Sequence, residues 1–390
     1  MILFKNVKIH LEHKIIERGA LLTIGDKIQE IYETDAVPAE LPHDAVIING
    51  EGKNLIPGFI DGHIHGANGA DVMDATEAAL DKIANVLPKE GTTSFLATTI
   101  TQSVESIENA IENVSTYKVK PGSAELVGIH LEGPFIESSM AGAQPIEHIL
   151  KPDVDLFHHW QTLSNNQIKT VTIAPEHDPK GSFIRFLKKS GVNVSAGHTK
   201  GSFSDIQKAV KHGVNQVTHI CNAMSGIHHR DIGVVGAALR ITELRAELIA
   251  DGIHVSNEMM QLIYDNMGSE RLMLITDSMR AKCLFAGEYE LGGQPVTVTN
   301  DRAILKDGTL AGSILKMCDG AKNIMNLNNV EIGNVIEMAS SNPAKQVGMF
   351  DKKGSILSGK DADLLLVDDS LTVHYTICRG KIAYKEGESL

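Results

Sequence analysis

Residues 55–65 read LIPGFIDGHIH, an apolar run that ends in two histidines separated by one residue. Residues two apart on a strand point to the same face, so His63 and His65 would direct both imidazoles at one point. A strand presents two nitrogen ligands to one cation in this way, although the same triplet can equally be a pair of solvent-facing histidines. The surrounding PGFIDG and Gly66 favour the ligand interpretation.

Seven more apolar runs follow, and each leads through a polar residue into an amphipathic stretch. Their Val, Ile, Leu and Thr content is typical of strands buried on both faces. The eight runs are 55–65, 93–99, 125–133, 170–176, 192–199, 215–223, 246–254 and 271–278. Strand and helix alternating in this way predict an α/β fold, a closed (β/α)8 TIM barrel, with an open doubly wound sheet as the alternative.

Two stretches between the runs carry helix signals. Residues 74–87 (DATEAALDKIANVL) open with Asp and Thr as capping candidates and repeat apolar residues along one face. Residues 204–212 follow the same apolar pattern, and Gly213 comes next as a stop signal. Both helices fit the outer ring that a barrel requires.

The two ends of the chain alternate apolar and polar residues and do not follow the barrel pattern. Residues 1–54 include ILFKNVKIH and ALLTIGDKIQEIY, with a turn signal at Gly25, and residues 354–384 show the same alternation. Period-two alternation predicts short antiparallel strands. We therefore expect residues 1–54 and 346–390 to form one small β-sandwich domain beside a barrel domain of residues 55–345.

The composition excludes several classes of protein. The 390 residues carry 36 basic and 49 acidic side chains, a net charge of −13, which argues against nucleic acid as a partner. No apolar run is long enough to span a membrane and no signal-peptide pattern occurs, so we expect a cytoplasmic protein without a membrane partner. The four cysteines share no CxxC spacing, which argues against a disulfide framework and a cysteine-based zinc site.

The chemistry of the predicted site lies in the residues that end the runs, because catalytic groups of parallel barrels sit at the carboxyl ends of the strands. Four of the eight runs end in histidine, which is difficult to attribute to composition even with 17 histidines in the chain. The residues at these ends are His63, His65, Thr98, Glu132, Glu176, His198, His219, His254 and Asp277.

Glu132, His198 and His219 form the most specific combination among these residues. A carboxylate that closes an apolar strand is costly to bury unless it is paired or bound to a metal; the alternative is a loop or capping acid. His198 and His219 end consecutive runs and would be neighbours around the barrel mouth, although either alone could be a core histidine. Two histidines and one carboxylate suit zinc or iron(II) and leave positions open for water.

Asp277 ends the last run, in the sequence LMLITD. An aspartate after a strand is often a helix cap, which is the alternative here. Beside a metal ion it becomes the natural general base. A bound cation lowers the pKa of its water from 15.7 to roughly 7, and a nearby carboxylate can accept that proton.

Seven segments, in this order, resemble the amidohydrolase superfamily and, within it, the N-acetylglucosamine-6-phosphate deacetylase family over essentially the whole chain. The segments are PGFIDGHIHG (57–66), HLEGPF (130–135), GHT (197–199), THICNAM (218–224), ADGIH (250–254), TDS (276–278) and LAGS (310–313). The resemblance implies hydrolysis of the N-acetyl group of N-acetyl-D-glucosamine 6-phosphate to D-glucosamine 6-phosphate and acetate. It also implies a role in amino-sugar catabolism and cell-wall recycling.

The resemblance further implies one or two divalent ions and a role for individual residues. Asp277 resembles the acid/base that takes a proton from the attacking water and returns it to the amine. The implied ligands are Glu132, His198 and His219 for the main ion and, as in members with a second ion, His63 and His65. The implied substrate-binding positions are Ala143, Gln144, Asn222, Ala223, Arg230, His254, Leu310, Ala311 and Gly312.

One of these positions departs from the family pattern. Some members carry a histidine, thought to polarise the acetyl carbonyl, where this chain has Gln144. A glutamine amide can donate the same hydrogen bond but carries no charge. The contribution of Gln144 to carbonyl polarisation is therefore an open point of the sequence analysis.

The residues expected to bind the phosphate group indicate an oligomer. Arginine binds phosphate through two parallel charge-assisted bonds, so Arg230 is a candidate, unless it is an ordinary surface residue. Asn222 and Ala223 would offer free backbone N–H groups after strand six. Family sites are completed across a dimer, and the polar loop 225–231 has no apolar anchor to its own barrel. We therefore expect a homodimer in which Arg230 completes the partner's site.

Two other functions compete with this one. Dihydroorotase and hydantoinase types bridge their metals with a modified lysine on strand four, but residues 170–176 contain no lysine and Glu132 on strand three takes the bridging role. A non-catalytic protein built on a retired barrel should have lost ligands, whereas all six candidate metal and base residues are present. Both alternatives therefore explain the sequence less well than a metal-dependent deacetylase.

Overall fold

Eight parallel strands form a barrel, and each overlaps one of the predicted apolar runs. The computed structural model describes residues 1–34 and 45–388. The barrel strands are β1 (Phe59–Ile64), β2 (Thr92–Thr99), β3 (Glu125–Glu132), β4 (Ile168–Ile173), β5 (Asn193–Ala196), β6 (Gln216–Val217), β7 (Arg245–Ile249) and β8 (Leu272–Ile275). They pair in chain order from β1 to β8, which confirms the predicted barrel class.

The ring closes between β8 and β1. Just beyond β8, the backbone N–H of Asp277 donates to the carbonyl oxygen of His63 (2.8 Å), and the N–H of His65 donates to that of Ser278 (2.9 Å). Inside the seam, the buried Asp61 carboxylate accepts hydrogen bonds from the backbone N–H (3.2 Å) and the hydroxyl (2.5 Å) of Thr276. These contacts exclude the open-sheet alternative. They bring the first and last strands of the barrel together at the predicted site.

Helices follow the strands as the sequence predicted. They are α1 (Glu77–Val86), α2 (Val104–Thr116), α3 (Val154–Leu163), α4 (Ser182–Lys189), α5 (Phe203–His212), α6 (Gly233–Arg240), α7 (Asn257–Met267), α8 (Met317–Met325), α9 (Ile332–Ile336) and α10 (Asn342–Gln346). A π-helical segment, Glu337–Ser341, joins the last two. None of the helices in the described residues has the length and apolar composition needed to cross a membrane.

The two predicted helices, α1 and α5, form where the sequence indicated, although their first and last residues differ slightly from the predicted ones. Thr76 caps α1, because its hydroxyl accepts a hydrogen bond from the N–H of Ala79 (3.2 Å). Ser202 and Asp205 form a capping box at the start of α5. Gly213 ends α5 with a φ of 141°, a backbone conformation that side chains disfavour, and its N–H donates to Ala209 (2.9 Å).

A short antiparallel sheet after β8 was not predicted. We call it the cap sheet; its strands are Gly287–Leu291, Gln294–Val298 and Ala303–Ile304. Its apolar side packs on Ile100 and Ala143 at the mouth of the barrel. The strands have two to five residues, so their period-two signal is too short to stand out in the sequence. A smaller hairpin, Gly66–Ala67 with Ala70–Asp71, follows β1.

The two ends of the chain form a separate β-structure, as the sequence predicted, and their strands pair in one sheet. We call it the terminal sheet; its strands are Ile2–His10, Ile15–Ile24, Lys27–Tyr32, Val46–Asn49, Asn54–Pro57, Leu364–Val367, Val373–Cys378 and Lys381–Lys385. Asn54–Pro57 joins the two ends, since it pairs antiparallel with Leu364–Val367 and parallel with the first strand. The domain boundaries themselves stay a prediction, and residues 35–44 and 389–390 of the predicted β-domain lie outside the described residues.

A buried lysine links the terminal sheet to the barrel. The ammonium of Lys353 contacts the carboxylates of Asp363, Glu125 (2.6 Å) and Asp361 (3.1 Å), and Glu125 is the first residue of β3. Lys353 is 3% exposed. Burial alone would lower the pKa of Lys353, but Asp363 and Glu125 raise it above its ordinary value. The ammonium therefore stays charged and neutralises acids from both parts of the chain.

Replacing Lys353 by Ala should destabilise the protein by about 3–5 kcal/mol, because it leaves the buried Asp363 carboxylate without its cation. The measurement is the free energy of unfolding from urea denaturation. Lys352→Ala is the matched control: its side chain is exposed, so it should change stability by no more than about 0.5 kcal/mol. Equal stability of the two variants would contradict this role of Lys353.

Candidate metal centre and active site

Six of the predicted side chains converge at the carboxyl ends of the barrel strands. Each is the last or next-to-last residue of its strand, or follows the strand by one or two positions. All are buried, with at most 8% exposure. The six residues, which we call the ligand cluster, are His63, His65, Glu132, His198, His219 and Asp277. The predicted convergence is present, whereas the assignment of each residue to an ion stays a prediction.

Glu132 lies at the centre of the ligand cluster. Its Oε1 is 3.1 Å from Nε2 of His198 and 3.2 Å from Nε2 of His219. Its Oε2 is 3.3 Å from Nε2 of His65, while Nε2 of His63 lies 3.5 Å from Oε1. One carboxylate therefore has imidazole nitrogens at both of its oxygens.

Asp277 completes a second set with the two histidines of β1. Its Oδ1 lies 3.2 Å from Nε2 of His65 and 3.4 Å from Nε2 of His63. Both rings offer the same nitrogen to the same oxygen, as expected for residues two apart on one strand. The cluster thus contains two groups that each have the size of a cation site, one with His198 and His219 and one with His63 and His65.

Acceptors behind two of the rings determine which nitrogen carries a proton. Nδ1 of His63 faces the Glu247 carboxylate at 3.0 Å, and Nδ1 of His198 faces the carbonyl oxygen of Met140 at 2.9 Å. Neither acceptor can donate, so Nδ1 is the protonated nitrogen in both rings. In the neutral form of each ring Nε2 therefore carries the lone pair, and it is directed into the cluster, which is the arrangement that binds a metal.

The two carboxylates of the ligand cluster attract positive charge. The ion pairs of Glu132 and Asp277 are all with histidines. Burial alone would lower the pKa of His63, but Asp277 and Glu132 raise it well above its ordinary value. Burial alone would raise the pKa of Asp277, but His63 and His65 lower it to about 2. The carboxylates are therefore ionised and favour positive charge beside them.

The residues present fit a divalent cation. Nε2 of His63 is buried and has no hydrogen-bond partner among the described residues. Nε2 of His198 and Nε2 of His219 lie 3.1 Å apart, and both lie within 3.2 Å of Oε1 of Glu132, so three possible ligand atoms surround one position. Imidazole and carboxylate ligands around one position are typical of zinc and iron(II) sites.

Three members of the cluster have an unusual backbone. The φ angles are 45° for His198, 29° for His219 and 47° for Asp277, all in the left-handed region. Residues other than glycine are disfavoured there, typically by about 1–3 kcal/mol when the conformation is held by its surroundings. Such strain is common at functional sites, because it re-aims a side chain that a regular strand would direct elsewhere.

Gln144 reaches the cluster, but its amide donates to Glu132, whereas the sequence analysis considered a hydrogen bond to the acetyl carbonyl. Its Nε2 donates to Oε2 of Glu132 (2.6 Å), and its Oε1 accepts from the backbone N–H of Thr101 (2.7 Å). The amide is buried and held at both ends. In this geometry Gln144 orients Glu132.

A small cavity opens from the cluster. Part of its wall is apolar and comes from Ile100, Ala143 and Leu291, the last from the cap sheet. Gly312 also lines it, with a φ of 60°, and a Cβ there would lie 3.0 Å from the carbonyl oxygen of Asp277. Of the predicted substrate-binding residues, Ala143, Gln144 and Gly312 line this cavity.

The other predicted substrate-binding residues do not line this cavity. We expected a free backbone N–H at Asn222, and this expectation was wrong. The N–H of Asn222 donates to the carbonyl oxygen of His219 (3.0 Å) in a tight turn after β6. Ala223 has a φ of 49°, and its carbonyl oxygen accepts from Thr199. Leu310 and Ala311 pair with the last strand of the cap sheet.

Arg230 and His254 are held by neighbours of their own chain. Arg230 lies in an exposed loop, with one guanidinium nitrogen 2.7 Å from Nε2 of His229. Nδ1 of His254 is 2.7 Å from a carboxylate oxygen of Asp251. Glu176, another run-end residue, accepts from Thr199 and from the backbone of Lys200 and does not join the cluster.

Some residues that support the cluster from behind were not predicted from the sequence. Glu247 lies within β7, in the otherwise apolar stretch AELI, and a charged residue inside a buried strand is the signal that would have revealed it. Met140 contributes only its carbonyl oxygen, so its side-chain identity carries no signal. Leu291 belongs to the cap sheet, which the sequence analysis did not predict.

Comparisons with known proteins agree with this geometry. The model of the amidohydrolase family matches residues 54–383. The N-acetylglucosamine-6-phosphate deacetylase of Bacillus subtilis is 46% identical and covers 100% of this chain and 98% of its own. The crystal structure of the enzyme of that name from Thermotoga maritima has a TM-score of 0.87 and 32% identity, covering 98% of this chain and 100% of its own.

A third similar protein was solved with a bound ligand. It is a mutant of the N-acetyl-D-glucosamine-6-phosphate deacetylase of Mycobacterium smegmatis in complex with N-acetyl-D-glucosamine-6-phosphate. Its TM-score is 0.90 at 25% identity, and the match covers 98% of this chain and 99% of that one. The chain therefore belongs to the amidohydrolase family, and its near relatives within that family are N-acetylglucosamine-6-phosphate deacetylases.

Proposed function

We propose that this protein hydrolyses the N-acetyl group of N-acetyl-D-glucosamine 6-phosphate, releasing acetate and D-glucosamine 6-phosphate. A full-length relative named for this activity, 46% identical, supports the proposal. So does the complex of a similar protein with this substrate. The observation that carries most weight is internal: the buried Glu132 carboxylate lies among four histidine nitrogens beside a small, partly apolar cavity.

The ligand cluster is proposed to hold one or two divalent ions, zinc or iron(II). The proposed ligands are Glu132, His198 and His219 for one ion, and His63 and His65, with Glu132 shared and Asp277 adjacent, for a second. When bound, the ion supplies Lewis acidity, which lowers the pKa of a water molecule and polarises a carbonyl oxygen. The four Nε2 atoms that face the Glu132 carboxylate support this assignment.

Asp277 is the proposed acid/base. Its Oδ1 lies beside His63 and His65, and its side chain reaches the cavity. It accepts a proton from the water whose oxygen adds to the acetyl carbonyl carbon. It then returns that proton to the amine nitrogen as the C–N bond breaks, so that acetate and the amino sugar leave with all atoms accounted for.

The acetyl group is proposed to occupy the apolar part of the cavity. Ile100, Ala143 and Leu291 form a wall that would exclude water from the methyl group. Gln144 keeps Glu132 in place through its amide hydrogen bond and need not polarise the carbonyl itself.

The sugar and phosphate are proposed to extend from the cavity towards the outer loops. The residues proposed to contact them are Asn222, Ala223, Arg230, His254, Leu310, Ala311 and Gly312. An arginine side chain suits phosphate because its planar guanidinium forms two parallel charge-assisted hydrogen bonds. Gly312 supports the path of the sugar, since it lines the cavity without adding a side chain.

Arg230 is proposed to act on the partner's site within a homodimer. Within its own chain, Arg230 is exposed in a loop whose residues 226–231 are all exposed. Its guanidinium contacts a neighbouring histidine and does not line the cavity. In a two-fold interface each such loop would contribute equally to the opposite site.

A cyclic amidase or deaminase of the same family is the alternative. Types that bridge two metals with a modified lysine on the fourth strand need that lysine at the barrel mouth. The lysine of β4 in this chain, Lys169, is its second residue, at the end away from the mouth. Glu132 on β3 already lies at the position between the two histidine pairs.

The metal-loaded protein should release acetate from N-acetyl-D-glucosamine 6-phosphate, and removal of the metal with a chelator should abolish this release. Addition of zinc or iron(II) should restore it. The measurement is acetate release on protein of known metal content, with the unphosphorylated sugar as a control that should react poorly. Folded, metal-loaded protein that releases no acetate would refute the proposed function, and full activity without metal would refute the metal assignment.

Asp277→Asn should lower turnover by a factor of about 10²–10⁴, because the carboxylate supplies both acid and base assistance. Substrate binding and metal content should largely survive. Asp265→Asn is a matched control on the exposed face of α7 and should have normal turnover. Near-normal turnover of the Asp277 variant, measured by steady-state kinetics, would remove Asp277 from the mechanism.

Mixed dimers should show whether Arg230 acts on the partner's site. Asp277→Asn and Arg230→Ala subunits are each expected to be impaired alone and are then combined under conditions that allow exchange. If Arg230 acts in trans, each mixed dimer has one site with both lesions and one intact site, so activity should reappear. If it acts within its own chain, each site keeps a lesion. No recovery, with mixed dimers shown to be present by mass spectrometry, would refute the shared site.

A further inference from the structure

Glu247 contacts the ligand cluster from the side opposite to the cavity. It lies inside the barrel on β7 and is 3% exposed. Its Oε2 accepts a hydrogen bond from Nδ1 of His63 (3.0 Å) and one from the backbone N–H of His219 (3.3 Å). One buried acid therefore touches a proposed ligand of each ion, although the mechanism above gives it no role.

Glu247 is also the end of a chain of side chains that runs through the barrel. An Arg245 guanidinium nitrogen donates to Oε1 of Gln346 (3.1 Å), and Nε2 of Gln346 donates to Oδ1 of Asn193. Nδ2 of Asn193 donates to Oε1 of Gln216 (2.6 Å). Nε2 of Gln216 donates to Oε1 of Glu247 (2.5 Å). We call the three amides, Gln346, Asn193 and Gln216, the amide relay.

The arginine at the outer end determines the direction of the amide relay. A guanidinium has donors only, so Gln346 must offer it the amide oxygen. Gln346 then has its NH2 group left for the next amide, and the same constraint passes along the relay. Glu247 consequently receives a donor at Oε1, and its Oε2 remains an acceptor for His63. Reversing one amide would set donor against donor or acceptor against acceptor.

Glu247 is not itself part of a third cation site. It groups closely with His63 and His130, but both nitrogens of His130 are engaged. Nε2 of His130 is 2.7 Å from the hydroxyl of Thr172, and Nδ1 is 3.3 Å from the carbonyl oxygen of Gly62. His63 offers Glu247 its Nδ1, whereas its Nε2 faces Glu132 and Asp277.

We propose that Glu247 is a positioning residue: it holds His63 in the tautomer with hydrogen on Nδ1, so that Nε2 can ligate a divalent ion, and the amide relay keeps Glu247 an acceptor. This inference rests on the metal assignment proposed above. Carboxylates that accept from the second nitrogen of a ligating histidine orient the ring, and their loss typically weakens metal affinity about 10–100-fold. Arg245 and Gln346, at the far end of the barrel, thus influence the metal site through fixed hydrogen-bond directions.

The first test is Glu247→Gln in the full-length protein, with Co²⁺ as the probe. The new amide must direct its NH2 group at Gln216 or at His63, and each choice opposes an existing donor. Co²⁺ affinity at the site with His63 should fall about 10–100-fold and its visible absorption should change, while the site with His198 keeps its affinity. Glu243→Gln, an exposed acid just before β7, is the matched control and should leave both affinities unchanged.

The second test separates hydrogen-bond direction from charge. Gln346→Glu gives the relay an acceptor where it needs a donor, so the two following amides must reverse and Glu247 then faces an amide oxygen. Added negative charge alone would strengthen cation binding, whereas the relay predicts weaker Co²⁺ binding at the site with His63. Gln346→Leu, which removes the partner without reversing the relay, should have a smaller effect. If Glu247→Gln fails to fold, the two Gln346 variants still test whether the amide relay and Glu247 influence Co²⁺ binding.

The outcomes distinguish this inference from the metal assignment. Wild-type protein should bind two Co²⁺ ions, and His63→Ala should lose one; if His63→Ala binds as wild type does, the assignment fails and Glu247 loses its role with it. If wild type binds two ions and Glu247→Gln does the same with unchanged affinity and spectrum, the positioning role alone is refuted. Equal or stronger Co²⁺ binding by Gln346→Glu would refute the relay.

Discussion

The burial of the Glu132 carboxylate among four imidazoles is the interaction on which the rest of the site depends. A carboxylate at 2% exposure is stable only if positive charge or several donors lie close to it. The histidine nitrogens and the Gln144 amide are arranged around its two oxygens. The barrel provides this because its strands end at one rim, where residues distant in sequence can surround a single acid.

The arrangement around Glu132 is stabilised in two layers. The inner layer contains the groups that face the carboxylate, and the outer layer fixes which of their atoms do so. The Met140 carbonyl and the Glu247 carboxylate act in the outer layer on His198 and His63. A similar use of buried charge occurs where Lys353 lies among three carboxylates, but there the cation is part of the chain itself.

The barrel, its ring of helices and the convergence of the six cluster residues could all be predicted, because apolar period and strand order determine which residues reach one rim. The cap sheet escaped prediction because its strands are too short to show a period. The occupied N–H of Asn222 could not be foreseen, since it belongs to a turn in which Cys221 has a φ of 78°, a conformation that a cysteine does not signal. The hydrogen bond from Gln144 to Glu132 could not be predicted either, because a side-chain bond to a residue 12 positions away leaves no pattern in the sequence.

The closure of the barrel between β8 and β1 also sets an order of events during synthesis. The group of Glu132, His198 and His219 spans 88 residues and is complete in the chain well before β8 emerges. The group of His63, His65 and Asp277 joins the first strand to the last, so it exists only when the whole ring has formed. The longest-range contacts of the barrel are therefore the ones that assemble this second group, and a nascent chain can acquire them only after its last barrel strand has emerged.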